Sequence, residues 1–88
     1  MRVEAKIFLG QRVLAIATVE AGRRDAPISQ QLDACLRRVC SELDVGLPLW
    51  MSSNTHEFAR HHQTQFFAGQ FMETPRFDRL QIRWLEED

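Results

Sequence analysis

Eighty-eight residues make a single domain, and a chain of this length buries only roughly 60–65% of the surface its unfolded form exposes, so a deep enzymatic cleft would compete with the core for side chains. Eleven basic and twelve acidic residues leave a net charge of −1, which argues against a general nucleic-acid binder, whose affinity comes mainly from neutralised phosphates. The hydrophobic fraction of 44% excludes disorder as the default, and no apolar run reaches the ~20 residues of a membrane span.

The N-terminus, Met1-Arg2-Val3-Glu4-Ala5-Lys6, alternates charged with apolar residues and lacks the apolar block of a signal peptide, so a cytoplasmic location is expected. Val3 to Glu20 reads as a β-hairpin. In its first arm Val3, Ala5 and Ile7 face one way, while Arg2, Glu4 and Lys6 face the other. The turn falls near Leu9-Gly10-Gln11, where Gly10 supplies a permissive backbone. The second arm, Arg12 to Glu20, is apolar on both faces. Such a strand is either central or covered twice, and the second cover could be another copy of the chain.

Ala21 to Asp25 is a polar connection, with Asp25 a candidate N-cap and Pro27 in the first turn of the helix that follows. Ile28, Leu32, Cys35, Leu36, Val39 and Leu43 then form a sustained helical stripe. The opposite face sets Asp33 four residues before Arg37 and Arg38 four before Glu42, which is ion-pair spacing. Gly46 and Pro48 mark the expected end. Cys35 and Cys40 lie five apart on this helix, about 140° around its axis, so buried thiols are expected rather than a disulfide.

Leu47 to Met51 is apolar but short and proline-bearing, an extended connector pinned to the core. Asn54, with Glu57 three residues on, resembles a capping box for a second helix over about Thr55 to His62. Gln63 to Phe71 is irregular, and part of it is a candidate strand. Pro75 to Leu85 reads as a final strand, with Leu80, Ile82 and Trp84 on one face and Arg79, Gln81 and Arg83 on the other. Glu86-Glu87-Asp88 is an acidic tail.

Residues 1–88 are therefore expected to form one α+β domain of order β-β-α-α-β. It is a small two-layer sandwich whose N-terminal hairpin and C-terminal strand share one sheet, packed by the long amphipathic helix. A right-handed crossover would place the last strand beside the first, giving order 2-1-3. That order leaves Val13 to Val19 at an apolar edge, which invites pairing with a second chain. Val13, Ala15, Ala17 and Val19 are the candidate dimer strand.

"HEFARHH", His56 to His62, is one residue away from the zinc-protease pattern H-E-x-x-H. In that pattern two histidines four apart share one helix face and grip one metal. Here Arg60 occupies the second ligand slot, and His61 stands about 140° from His56 around the axis. The zinc reading fails on geometry and on charge. The spacing of Cys35, Cys40, His61 and His62 does not match structural zinc either. What remains is a short amphipathic helix anchored by Phe58. His56 and Arg60, together with Arg79 and Arg83, would form an anion or nucleic-acid contact if the second helix lay near the last strand.

No nucleophile elbow, dinucleotide fingerprint or phosphate loop occurs, so no catalytic residue, metal or cofactor is assigned and enzymatic activity is not expected. Seven of the eight aromatics lie from Trp50 onward, where their first use is to close a small core. Phe66, Phe67 and Phe71 are the ones placed to form an exposed patch for a partner. The function expected is a small non-catalytic protein-interaction domain acting as a homodimer, with an unidentified protein partner. The alternative is an RNA-binding or regulatory nucleic-acid module on an Arg-bearing sheet face, Arg79-Gln81-Arg83, assisted by Phe77 and His61-His62.

Overall fold

The computed structural model describes residues 1–85; the acidic tail, Glu86 to Asp88, lies outside them. Strands β1 (Arg2–Leu9) and β2 (Arg12–Glu20) form the hairpin. Helices α1 (Ile28–Leu43) and α2 (Ser52–His61) follow, then strand β3 (Gln63–Phe67), a 3-10 turn (Ala68–Gln70) and strand β4 (Arg79–Leu85). The four strands make one sheet in the order β2-β1-β4-β3, with every neighbouring pair antiparallel. Both helices lie on the same face, α1 over β1 and β2, α2 over β3. The chain is a small α+β domain.

The last strand does sit beside β1 and run parallel to β2, which stays at the edge. A fourth strand, β3, corrects the three-stranded order. Three of its five residues are polar, which hides the alternation: Thr64 and Phe66 are buried, while Gln63, Gln65 and Phe67 face away. β4 begins at Arg79, four residues later than Pro75. Asp78 ends the preceding turn, its N–H donating to Phe8 O and its own carbonyl accepting from Ala68 N.

Gly10 takes a φ of +59° in the hairpin turn, a conformation that costs other residues dearly. Where β2 leads into α1, Gly22 has φ +84°, and a Cβ there would stand 2.7 Å from Gln31 Cα. Only glycine lets the helix approach this closely.

α1 starts at Ile28, not after Asp25. Pro27 is its cap residue, and the Pro27 carbonyl accepts from the N–H groups of Gln30 and Gln31. Proline disfavours helical backbone in the residue before it, so the helix cannot reach back to Asp25. Asp25 accepts from Arg23 instead. The helix ends before Gly46: Asp44 takes φ +56°, Val45 N–H reaches Cys40 O and Asp44 N–H reaches Ser41 O. This is the paired closure of a Schellman turn, built on Asp in place of the usual glycine.

Leu32, Cys35, Leu36, Val39, Cys40 and Leu43 bury the inner stripe of α1 against Val3, Ala5, Ile7 and Val19. Ile28, at the head of the stripe, is exposed. α2 starts at Ser52, three residues earlier than Thr55. Asn54 is its third residue rather than its cap, and the Asn54 Oδ1 accepts from Met51 N–H.

Candidate functional site

The sheet has one covered face and one open face. Strand alternation decides which residues fall on each. Leu80, Ile82 and Trp84 point to the helices: Leu80 and Ile82 are fully buried, and the Trp84 ring lies parallel to the Phe58 ring of α2, 6.2 Å between centroids. Arg79, Gln81 and Arg83 therefore point to the open face. His56 and Arg60, both exposed, stand on α2, in the helical layer. The four-residue anion patch does not assemble, because β4 carries its arginines on the face away from α2.

The aromatic patch also dissolves. Phe66 is fully buried against Trp50 (5.6 Å between centroids), and Phe71 is half-buried edge-on to Phe77 (5.3 Å, 89°). Phe67 alone of the three is exposed, at 56%. Phe77, read as a stacking ring beside the arginines, is buried.

The candidate dimer strand is redrawn residue by residue. Ala15 and Ala17 are half-buried and Val19 buried, all turned to the core beneath α1. The exposed apolar side chains are Val13, Leu14 and Ile16, the last at 57%. Leu14 sits at the break in register where β2 passes one extra residue between the pairs Ile7–Ala15 and Phe8–Val13. The arm is apolar on both faces in sequence, which does not show which set of positions α1 covers, nor the bulge that turns Val13 outward.

Across the open face the registers align three rows. Val13, Phe8, Arg79 and Phe67 form the first; Ile16, Lys6, Gln81 and Gln65 the second; Thr18, Glu4, Arg83 and Gln63 the third. Arg2 and Glu20 pair just beyond. The Arg79 guanidinium carbon lies 4.1 Å from the centroid of the Phe8 ring. Arg79 Nη1 also donates to Gly10 O, which holds the side chain along the sheet. Glu4 stands 3.7 Å from Lys6 and 3.5 Å from Arg83, both long contacts.

On the other side, α1 and α2 are separated by a groove of about 630 Å³. Leu32, Leu36, Trp50, Phe58 and Trp84 line it, and Asp33 and Arg37, ion-paired at 2.9 Å, stand at its rim. Trp50 Nε1 donates to Thr55 Oγ1. His62 closes α2 with φ +57°, its ring 5.0 Å from Trp84.

The seat of α2 is polar. Asn54 is buried, and all four of its hydrogen-bonding positions are used. Its Nδ2 donates to Thr64 Oγ1 and to Gln65 O, and its Oδ1 accepts from Met51 N–H and Gln70 Nε2. Thr64 in turn donates to Glu57 Oε1. Sequence reasoning gave Asn54 a cap and nothing more.

Both cysteines are buried free thiols. Burial raises the pKa of each, that of Cys40 to about 11. A thiol so protonated is a poor nucleophile at neutral pH. Among the described residues no three His, Cys, Asp or Glu side chains gather to hold a metal ion, and no helix is long and apolar enough to cross a membrane. No protein-family model, curated protein or solved structure matches the chain.

Proposed function

We propose that the chain is a small interaction domain that acts by binding and works as a homodimer, joined through the free edge of β2. The carrying observation is the contrast between the two edges of the sheet. β3 is five residues long and carries two glutamines, the short polar form that keeps an edge from pairing. β2 is nine residues long, and from Val13 to Val19 it has no charged residue. A long apolar edge left open is an aggregation hazard. A second β2, related by a two-fold axis, would satisfy the unpaired backbone and bring Leu14 and Ile16 out of water. The interface would be isologous, the commonest kind in soluble oligomers.

Sedimentation velocity or light scattering at tens of micromolar tests the reading. The wild type should run as a dimer. Ile16→Lys, placing a charge at an exposed position on the edge, should run as a monomer with an unchanged far-ultraviolet circular dichroism spectrum. A monomeric wild type sinks the proposal.

A further inference from the structure

We infer that the open face of the sheet is a binding site for single-stranded nucleic acid. It goes beyond the dimer reading, since it uses the face of the sheet rather than the edge of β2.

The face offers rings first. Phe8 and Phe67 flank Arg79 in one row, and Phe67 is more than half exposed. Arg79 lies over Phe8, so this pair presents the guanidinium plane, and Phe67 on the neighbouring strand presents the open ring. Bases stack on phenylalanine rings and on guanidinium planes alike, and stacking is tolerant of sequence because every base has a π-face. Duplex bases keep those faces hidden, so a ring-bearing flat sheet selects single strands.

Charge comes second. Arg2, Lys6, Arg79 and Arg83 lie on this face against Glu4 and Glu20. The face is therefore cationic although the chain is not, and the local field, not the net charge, attracts a polyanion. Asp78 stands at the end of the face, where its carboxylate accepts from Gly10 N–H, which still leaves four cations against three carboxylates; Asp33 and Glu42 on α1 and Glu57 on α2 stand in the helical layer. The long contacts from Glu4 to Lys6 and Arg83 leave both cations with open donors for phosphate oxygens.

Length and hydrogen bonding come third. Successive residues on one face of a strand are about 6.8 Å apart, so three rows span about 14 Å, enough for the two or three bases that sheet platforms hold. Gln63, Gln65 and Gln81 sit on adjoining strands between the arginines. Each amide offers both donors and an acceptor to a base edge. A protein partner fits less well, because charged residues are depleted at the centre of protein interfaces.

Fluorescence anisotropy with labelled oligouridine and oligodeoxythymidine of about 12 nucleotides, and with a duplex of equal length, tests the site at roughly 50 mM salt. The single strands should bind more tightly than the duplex, and affinity should fall as salt rises. Phe67→Ala should weaken binding about five-fold or more. The double variant Arg79→Ala/Arg83→Ala should weaken it about ten-fold or more and flatten the salt dependence. His56→Ala/Arg60→Ala, in the helical layer, should bind as the wild type does. Sedimentation of the wild type without oligonucleotide reads the dimer independently of anisotropy, so failure of the dimer and failure of this site are separable. Absence of oligonucleotide binding at low salt, as expected of a face made for a protein, overturns the inference. So does binding that survives both open-face variants.

Discussion

The two helices cover the same face of one sheet by opposite means. α1 is seated by an apolar stripe, six side chains set into the floor formed by β1 and β2. α2 buries only Phe58 and Asn54, and a polar network pins it to β3. An apolar seat tolerates small shifts, because burial is roughly proportional to area and has no direction. A buried amide with four partners permits one register only, since any displacement leaves a desolvated donor or acceptor unmade. The domain thus combines a large compliant contact with a small, geometrically exact one.

Substitution in the two seats should separate them. Asn54→Ala removes four hydrogen bonds at once; Thr64 keeps Glu57 and Gln70 keeps Leu49 O, but Gln65 O and Met51 N–H lose this partner, and the loss should cost about 3–4 kcal/mol. Val39→Ala, at the centre of the α1 stripe, removes two buried methyl groups and leaves a small cavity, at a cost of about 2 kcal/mol. Urea unfolding followed by tryptophan fluorescence measures both. If Asn54→Ala proves as mild as Val39→Ala, the network is not what seats α2.

The same division explains what could be read from the chain. The α1 seat was legible because its signal is periodic: Leu32, Cys35, Leu36, Val39 and Leu43 recur at helical spacing, and Val3, Ala5 and Ile7 alternate. The α2 seat was not. Thr64 sits at an inward position as a polar residue, and its partners Asn54 and Glu57 are ten and seven residues away. Nothing in a single sequence distinguishes a buried, fully paired threonine from a loop threonine, so β3 was hidden with it. Separation of the candidate arginines from His56 and Arg60 followed from the same gap. Alternation along β4 was visible and sets the arginines opposite the apolar face, but that α2 packs on that apolar face depended on where the network seats it. The open-face row of Val13, Phe8, Arg79 and Phe67 joins four strands and required their register.

The compliant seat also carries a titratable group. Cys40 is held neutral by burial, its pKa moved from 9.0 to about 11. Below pH 9 the thiol is protonated in both folded and unfolded chains, and its contribution to stability is fully present. As pH rises from about 9 to 11 the unfolded chain loses this proton while the folded chain keeps it, so stability falls across that window. The chain has no tyrosine and a single lysine, so the other group expected to add to this limb is Cys35, whose thiol burial also pushes up. Cys40→Ala should make the alkaline limb of a stability–pH curve shallower, Cys35 supplying the remainder, and an unchanged limb would assign the loss to another group.

The finest test concerns how each helix stops. Asp44 and His62 both adopt left-handed backbone, φ +56° and +57°, where glycine is favoured because it has no Cβ. Asp44 is exposed, and its backbone makes the closing hydrogen bond whatever the side chain. Asp44→Gly should therefore stabilise the chain by about 0.5–1 kcal/mol. At His62 the same relief of strain is opposed by loss of the ring that lies 5.0 Å from Trp84, and aromatic pairs contribute about 0.5–1.5 kcal/mol. His62→Gly should come out near zero or slightly destabilising. Thermal unfolding of the two variants beside the wild type reads the difference. A gain at both positions would mean that the His62 ring adds nothing to the seat of α2, and that Asn54 and Phe58 hold that helix without it.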